Sequence, residues 1–378
     1  MNQKKSVFIY SEELEKYSYP PDHPFNTIRA TRVRQIADSM GLLSGPGRSE
    51  VPPQPVDRIT LKKFHTARYL HALRLAGQGR FDPEAIRMGI GTGDCPAFEG
   101  VYEYSVLAAG GTVTAARMIL DGTADTAFNP SGGFHHAGPE KASGFCYIND
   151  VVLGCMILAE AGKRVLYLDV DVHHGDGVAY AFYDRNDVMT ISFHENPRAF
   201  FPGTGFEDET GADAGKGYCV NVPLPVGTFD EAYLTAYNEL AVPLIKAYQP
   251  DVFVFELGAD ALAGDPLAHL CLTNNAYAEI IQSLLSFGRP ILMTGGGGYN
   301  VDNTVRAWTL AWSLLAGGPT DAEANLGAGG VMLGSTEWQG GLRDRTQVIG
   351  QRQRDIVTAA VRQVIERVKA NVFAIHGL

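Results

Sequence analysis

The chain has 378 residues, of which 45% are hydrophobic and 19% charged, enough for one large α/β core. A net charge of −11, a pI near 5.4 and the lack of a basic patch argue against direct nucleic-acid binding and favour basic, lysine-bearing peptides as partners. No stretch has the length and apolarity of a membrane span or signal peptide, and the five cysteines (95, 146, 155, 219 and 271) form no CxxC pair or secreted disulfide spacing, so a cytoplasmic location with reduced thiols is expected.

Residues 6–10 read as a first strand, and 12–25 as a loop rich in Pro, Tyr and Asp that includes Tyr17, Tyr19 and His23. A helix is predicted over 27–43, with Gly41 near its end. A Pro/Gly loop over 45–55 follows, then a helix over 60–76 that opens on a threonine cap. The Gly-rich stretch 81–98 reads as loop and holds Asp94 before Cys-Pro, ordinarily a turn position. Residues 99–120 read as a helix whose small residues at 108–111 allow close packing. A short strand over 126–129 leads into Pro-Ser-Gly-Gly-Phe-His135-His136, and a helix runs from 145 or 146 to 161.

The central strand begins at 164, with a short helix over 177–183 after it and a strand over 188–194. The loop 195–217 contains Phe200-Phe201-Pro-Gly-Thr-Gly. Strands over 218–224, 252–257 and 290–294 alternate with helices over 229–248, 275–287 and 301–316. Two of these strands end in Gly258-Ala-Asp260 and Gly295-Gly-Gly-Gly-Tyr299. Residues 319–341 are Gly-rich, and 355–372 reads as an amphipathic helix with Ile356, Ala360, Val364 and Val368 on one stripe. Such alternation implies a mostly parallel sheet covered by helices on both faces.

The chemistry concentrates in Leu166-Tyr-Leu-Asp169-Val-Asp171-Val-His173-His174-Gly-Asp176, where an apolar run ends in three carboxylates and two imidazoles within eight residues. Buried charges at a strand end are costly unless paired or metal-bound. In extended chain Asp171 and His173 face one way, and an oxygen and an imidazole nitrogen at that spacing suit a divalent metal such as zinc. Open parallel sheets place their sites beyond the carboxyl ends of the strands. There Asp171, His173 and Asp260 make a three-ligand set with an open position. His135 and His136 supply imidazoles for proton transfer, Asp169 and Asp176 can orient them, and the Tyr299 hydroxyl can reach an oxyanion. Together these parts describe metal-assisted hydrolysis of a carbonyl compound. Taken singly, Asp260 reads equally well as a helix cap, His135 and His136 as loop residues, Tyr299, Phe145 and Phe201 as packing, and Cys146 as an inert thiol.

Five segments carry a resemblance: Gly-Gly-Phe-His-His-Ala with Ala-Ser-Gly-Phe-Cys-Tyr-Ile-Asn-Asp, Asp-Val-Asp-Val-His-His-Gly-Asp-Gly, Phe-Phe-Pro-Gly-Thr-Gly, Gly-Ala-Asp-Ala-Leu-Ala-Gly-Asp-Pro-Leu and Gly-Gly-Gly-Gly-Tyr-Asn. They resemble the histone deacetylase superfamily, class I enzymes and their bacterial acetoin-utilisation-type relatives, in order over about 5–317. The resemblance implies a single-domain arginase–deacetylase α/β fold, a catalytic domain over 1–318, and 319–378 as a Gly-rich segment and helix packed on that domain. It implies zinc-dependent deacylation of N-ε-acyl-lysine in proteins or peptides, with iron(II) as another metal for the site.

By the same resemblance Asp171, His173 and Asp260 hold the metal. His136 with Asp176 is the general base and acid, His135 with Asp169 its electrostatic partner, and Tyr299 polarises the carbonyl. Gly144, Phe145, Phe201 and Leu267 line the tunnel, Asp94 is the rim carboxylate, and Arg29 belongs to an internal product channel. A structural potassium ion is implied beside the metal, held partly by main-chain carbonyls of Asp169, Asp171, His173, Ser192 and Phe193. The residues before Arg29 depart from the usual Lys-Pro pattern, and the long regulatory tail of eukaryotic class I enzymes and a nuclear-localisation run are absent, which fits a stand-alone bacterial enzyme. The alternatives are an acetylpolyamine-type small-molecule deacetylase, whose gatekeeper at position 267 is acidic where this chain has leucine, an arginase-type ureohydrolase, and a non-catalytic binding protein. The sequence leaves the oligomeric state open.

Overall fold

The computed structural model describes residues 4–80, 82–317 and 341–378, so the Gly-rich expectation for 319–340 lies outside the described residues. Eight strands form one sheet: β1 (Ser6–Ile9), β2 (Arg48–Val51), β3 (Thr126–Asn129), β4 (Val165–Asp169), β5 (Val188–Glu195), β6 (Cys219–Leu224), β7 (Val252–Glu256) and β8 (Ile291–Thr294). Their order is β2-β1-β3-β8-β7-β4-β5-β6, and every neighbouring pair is parallel. All carboxyl ends therefore share one edge, with β3, β8, β7 and β4 side by side at its centre.

The inner strands are aliphatic and aromatic on both sides because helices bury both faces. Along β4, Leu166 and Leu168 enter one core cluster and Val165 and Tyr167 the opposite one; in β7, Phe253 and Phe255 match the first, Val252 and Val254 the second. The first cluster is closed by helices Ile28–Ser39, Asp230–Ala236, Asn274–Ser286 and Val301–Leu315. Helices Val101–Leu120 and Asp150–Glu160 close the second.

Several elements differ from expectation. The 45–55 loop contains β2, an edge strand without apolar alternation, held by main-chain pairing to β1 and by the Arg48 guanidinium on the carbonyls of Ala316 and Gly317. The helix expected over 60–76 is two, Arg58–Leu61 and Ala67–Gly77, because Asp57 and Thr66 each cap a separate start. Short helices also occur at Glu12–Lys16 and Pro83–Arg87. The 229–248 helix is continuous but carries a π turn at Tyr237–Ala241.

The last helix spans Gln351–Val372 and packs on β6 and on helix Asp230–Ala236. Its buried stripe is Val357, Val361, Val364, Ile365, Val368 and Val372; the expected Val364 and Val368 lie in it, whereas in the first turns Val357 and Val361 take the places expected of Ile356, which is 60% exposed, and Ala360. These six aliphatics join the first core cluster, and each is worth about 1.5–3 kcal/mol when fully buried.

Candidate active site

β4 stops at Asp169, and the next residues turn rather than extend. Side-chain oxygens drive the turn: Asp169 Oδ1 accepts the N–H of Asp171 at 3.0 Å, and Asp171 Oδ1 that of His173 at 2.9 Å. The expectation that strand alternation aligns Asp171 with His173 is corrected, since two Asx-type bonds align them instead. From the end of β7, Asp260 joins them, its Oδ1 accepting the N–H of Val172 at 2.9 Å. His173 Nδ1 then lies 3.2 Å from Asp171 Oδ1 and 3.0 Å from Asp260 Oδ2. One nitrogen and two carboxylate oxygens, all buried and mutually within 4.8 Å, form a donor set that suits zinc. Phe200 stacks on the His173 ring at 4.8 Å, nearly parallel, which fixes its plane.

The loop after β3 brings in the histidine pair. Asp150 accepts the N–H groups of Gly133 and Phe134, and the Asn149 amide donates to the carbonyls of His135 and Ala137. With its first residues engaged in this loop, the helix expected from 145 or 146 begins at Asp150. His136 Nδ1 meets Asp176 Oδ1 at 2.7 Å, His135 Nδ1 meets Asp169 Oδ2 at 3.1 Å, and the two Nε2 atoms are 3.0 Å apart. Only one of those facing nitrogens can carry a proton. Burial opposes charging His135, but Glu256, Asp169 and Asp171 outweigh it and raise its pKa well above the usual range. Burial and the neighbouring His135 charge lower His136 to about 4, against the pull of Asp176, so at neutral pH His136 is the unprotonated partner.

Glu256 is the functional-site residue that the sequence reading passed over. Register pairs it directly with Asp169 across β7 and β4, and its Oε1 is 3.1 Å from His135 Nδ1. Its signal is a carboxylate closing the run Val-Phe-Val-Phe, beside a strand that also ends in a carboxylate. His135, Asp169 and Glu256 are thus a second cluster of metal-ligating types. The Tyr167 hydroxyl lies in it, 2.8 Å from Asp169 Oδ2 and 2.7 Å from Glu256 Oε2, while Glu256 Oε1 makes no hydrogen bond. Asp171, His173 and Asp260 are the other such cluster.

Tyr299 follows four glycines after β8, its ring 6.4 Å from that of His173 and 5.6 Å from that of Phe145. Burial, then the Asp260 and Asp171 carboxylates, push its phenol well above the ordinary range, so it remains a proton donor. Phe201, 43% exposed, meets His136 edge-on at 4.9 Å, opposite Gly144 and Phe145. Leu267 is half-buried on the loop after Asp260. Asp94 is exposed, and its Oδ2 accepts the Gly144 N–H at 2.8 Å. Ser192 pairs with Asp169 in register and Phe193 follows it, which sets their main chains beside β4.

Arg29 is buried, donates to the carbonyls of Asn26 at 3.1 Å and Gly298 at 2.8 Å, and lies against the rings of Phe25 and Trp308. It borders a cavity of about 230 Å³ that also touches Tyr104 and Gly132. The five cysteines are all unpaired, four of them buried, and no described helix is long and apolar enough to cross a membrane.

Gly144 has φ +55°, and a Cβ on it would sit 2.2 Å from His136 Cδ2. Gly144→Ala is therefore expected to push His136 off Asp176 and lower kcat at least about tenfold, with metal content unchanged, since a displaced general base loses part of its 10²–10⁴-fold contribution. Elemental analysis beside steady-state kinetics checks this; unchanged kcat would place the His136 ring elsewhere during catalysis.

Comparisons with known proteins agree with this geometry. Residues 23–315 match the histone deacetylase domain. The chain is 37% identical over 322 residues to Histone deacetylase clr6 of Schizosaccharomyces pombe, covering 84% of this chain and 78% of that one. It is 38% identical over 323 residues to Histone deacetylase 8 of Danio rerio, covering 84% and 83%. The crystal structure of an HDAC homolog from Aquifex aeolicus superposes with a TM-score of 0.82 at 32% identity, covering 96% of this chain and all of that one. With the sheet order, the strand-end site and these matches in agreement, the chain belongs to the histone deacetylase family.

Proposed function

We propose that the chain hydrolyses the amide of N-ε-acetyl-lysine, or of another acyl-lysine, in a protein or peptide, with zinc held by Asp171, His173 and Asp260. The observation that carries the reading is the meeting of that buried donor set with two imidazoles whose Nε2 atoms converge on one side of it. When bound, zinc supplies Lewis-acid polarisation of the scissile carbonyl and acidifies water. His136, neutral and oriented by Asp176, takes the proton from the attacking water and returns it to the departing lysine amine. His135, flanked by Asp169 and Glu256, stays charged and stabilises the negative charge that develops. Iron(II) fits the same nitrogen and oxygen donors.

Gly144, Phe145, Phe201 and Leu267 form the walls that pass the acyl-lysine stem, and Asp94 receives the substrate main chain at the rim. Arg29 hydrogen-bonds to main-chain oxygens rather than to a carboxylate, so its charge is available to a carboxylate product passing through the adjoining cavity. Main-chain carbonyls of Asp169, Asp171, His173, Ser192 and Phe193 would supply part of the shell of a structural potassium ion. The catalytic groups fall within 1–318, and the C-terminal helix completes the core around β6. Leu267, apolar where a polyamine would call for an acid, and relatives named histone deacetylases do not favour the small-molecule reading.

A fluorogenic acetyl-lysine peptide and acetylputrescine, assayed side by side with and without chelator, test the reading. Chelator-sensitive turnover of the peptide is expected; preference for acetylputrescine would overturn the substrate class. Tyr299→Phe keeps the ring and removes only the hydroxyl. It is expected to fold, keep its metal and bind peptide, yet turn over about 10²–10³-fold more slowly, as when one oxyanion donor is lost. A fall of less than about threefold in kcat at saturating peptide would return Tyr299 to a packing role.

A further inference from the structure

We propose that Asp265 is a positioning residue that ties Tyr299 to the Leu267 wall of the tunnel through one buried carboxylate. The proposal rests on the roles given to Tyr299 and Leu267 above. Asp265 is 7% exposed. Its Oδ2 accepts the main-chain N–H of Tyr299 at 2.7 Å and of Asn300 at 3.3 Å, and its Oδ1 that of Leu267 at 2.9 Å. Among the described residues no cation pairs with it, so main-chain amides of two segments answer its charge.

The glycines before Tyr299 are held on several sides in this conformation. Gly297 N–H donates to Asp171 Oδ2 at 2.6 Å, Gly297 O accepts from Ala259 N–H at 2.8 Å, and Gly298 O accepts from Arg29 at 2.8 Å. A Cβ on Gly297 would lie 1.9 Å from Asp260 Oδ2, and one on Gly298 2.4 Å from Thr304 Oγ1. These glycines permit close approach in a fixed conformation. The main chain entering Tyr299 is pinned by a metal-site carboxylate and by the channel arginine, and at Tyr299 itself by Asp265. The hydroxyl therefore moves through the side-chain torsions alone, and the main chain those torsions hang from is held by Asp265. Because the same carboxylate holds Leu267, displacement of that wall by an acyl stem is transmitted to the tyrosine.

Asp265→Asn preserves size but presents an NH₂ group to one set of these N–H donors. In the zinc-loaded full chain it is expected to lower kcat for an acetyl-lysine peptide about 10–100-fold, with zinc content and KM little changed, as for an interaction made only in the transition state. The decisive readout is a double-mutant cycle: introduced into Tyr299→Phe, the same substitution should cost less than about threefold, because residues acting through one group are not additive. Equal factors in the two backgrounds, or a loss below about threefold in the wild-type background, would overturn the proposal. Should Asp265→Asn fail to fold, Asp265→Glu, which keeps the charge but shifts the carboxylate by one methylene, is read in the same cycle. A wild-type chain inactive on every acyl-lysine peptide would sink the parent reading and this one with it; an active wild type with additive factors would sink only this one.

Discussion

Asp171→Ala and Asp260→Ala should each yield protein without stoichiometric zinc and without deacetylation above background, the largest effect expected of any single substitution here. On the proposed assignment each residue supplies one of three donors, and a two-donor remnant no longer offers the three protein ligands of a catalytic zinc site. The same two carboxylates also satisfy buried amides, Asp171 those of His173 and Gly297 and Asp260 that of Val172. An orphaned buried donor costs about 1–3 kcal/mol, so a lower melting temperature is expected beside the metal loss. Elemental analysis of purified protein separates the two effects. Stoichiometric metal retained in either folded variant would remove that residue from the ligand set.

The second large effect is expected at His136. General acid–base catalysis contributes about 10²–10⁴-fold, and His136→Ala should lose the upper part of that range while keeping its metal, because its Nδ1 is engaged by Asp176 and its Nε2 faces the site. His135→Ala should be milder. His135 faces two carboxylates at 3.1 Å that raise its pKa against burial, so its proposed part is charge rather than proton acceptance. Removing it also relieves the effect that its charge has on His136. Comparison of kcat at saturating peptide for the two variants decides the matter: equal and small losses would take the general-base role away from His136.

The sheet was legible in the sequence because its strands are buried on both faces and so are mainly apolar, and because each of β3, β4, β7 and β8 ends abruptly in polar or glycine residues. Strand-end placement then brings groups far apart in sequence to one edge, and the structure does bring Asp171, His173 and Asp260 together beside His135 and His136. What escaped was held by tertiary bonds or by geometry finer than periodicity. β2 has the composition of a loop and is a strand through its pairing with β1. The break between helices Arg58–Leu61 and Ala67–Gly77 is set by the Asp57 and Thr66 caps, and the Thr66 N–H, left free by the new start, reaches the Pro139 carbonyl, a tertiary bond that periodicity does not show. On Gln351–Val372 the stripe was legible at Val364 and Val368 but misplaced by one residue in the first turns, where Ile356 and Ala360 were expected and Val357 and Val361 are buried. Glu256 escaped because a single acid at the end of an apolar run looks like a strand boundary; register made it a neighbour of Asp169.

The two margins of the sheet bear on how the chain keeps to itself while folding. An unpaired strand edge is a template on which another polypeptide can add a strand. β2, at one margin, is only four residues long and carries Arg48 and Glu50, with Arg34 bonded to the latter, so an incoming strand would meet charge at once. At the other margin all six residues of β6 are buried and Pro223 offers no N–H. A parallel sheet of eight strands assembles slowly, through contacts distant in sequence, and its edges are exposed to solvent for the longest time. Charge at one margin, and burial with a missing donor at the other, leave neither edge of the folded sheet open to the addition of a further strand.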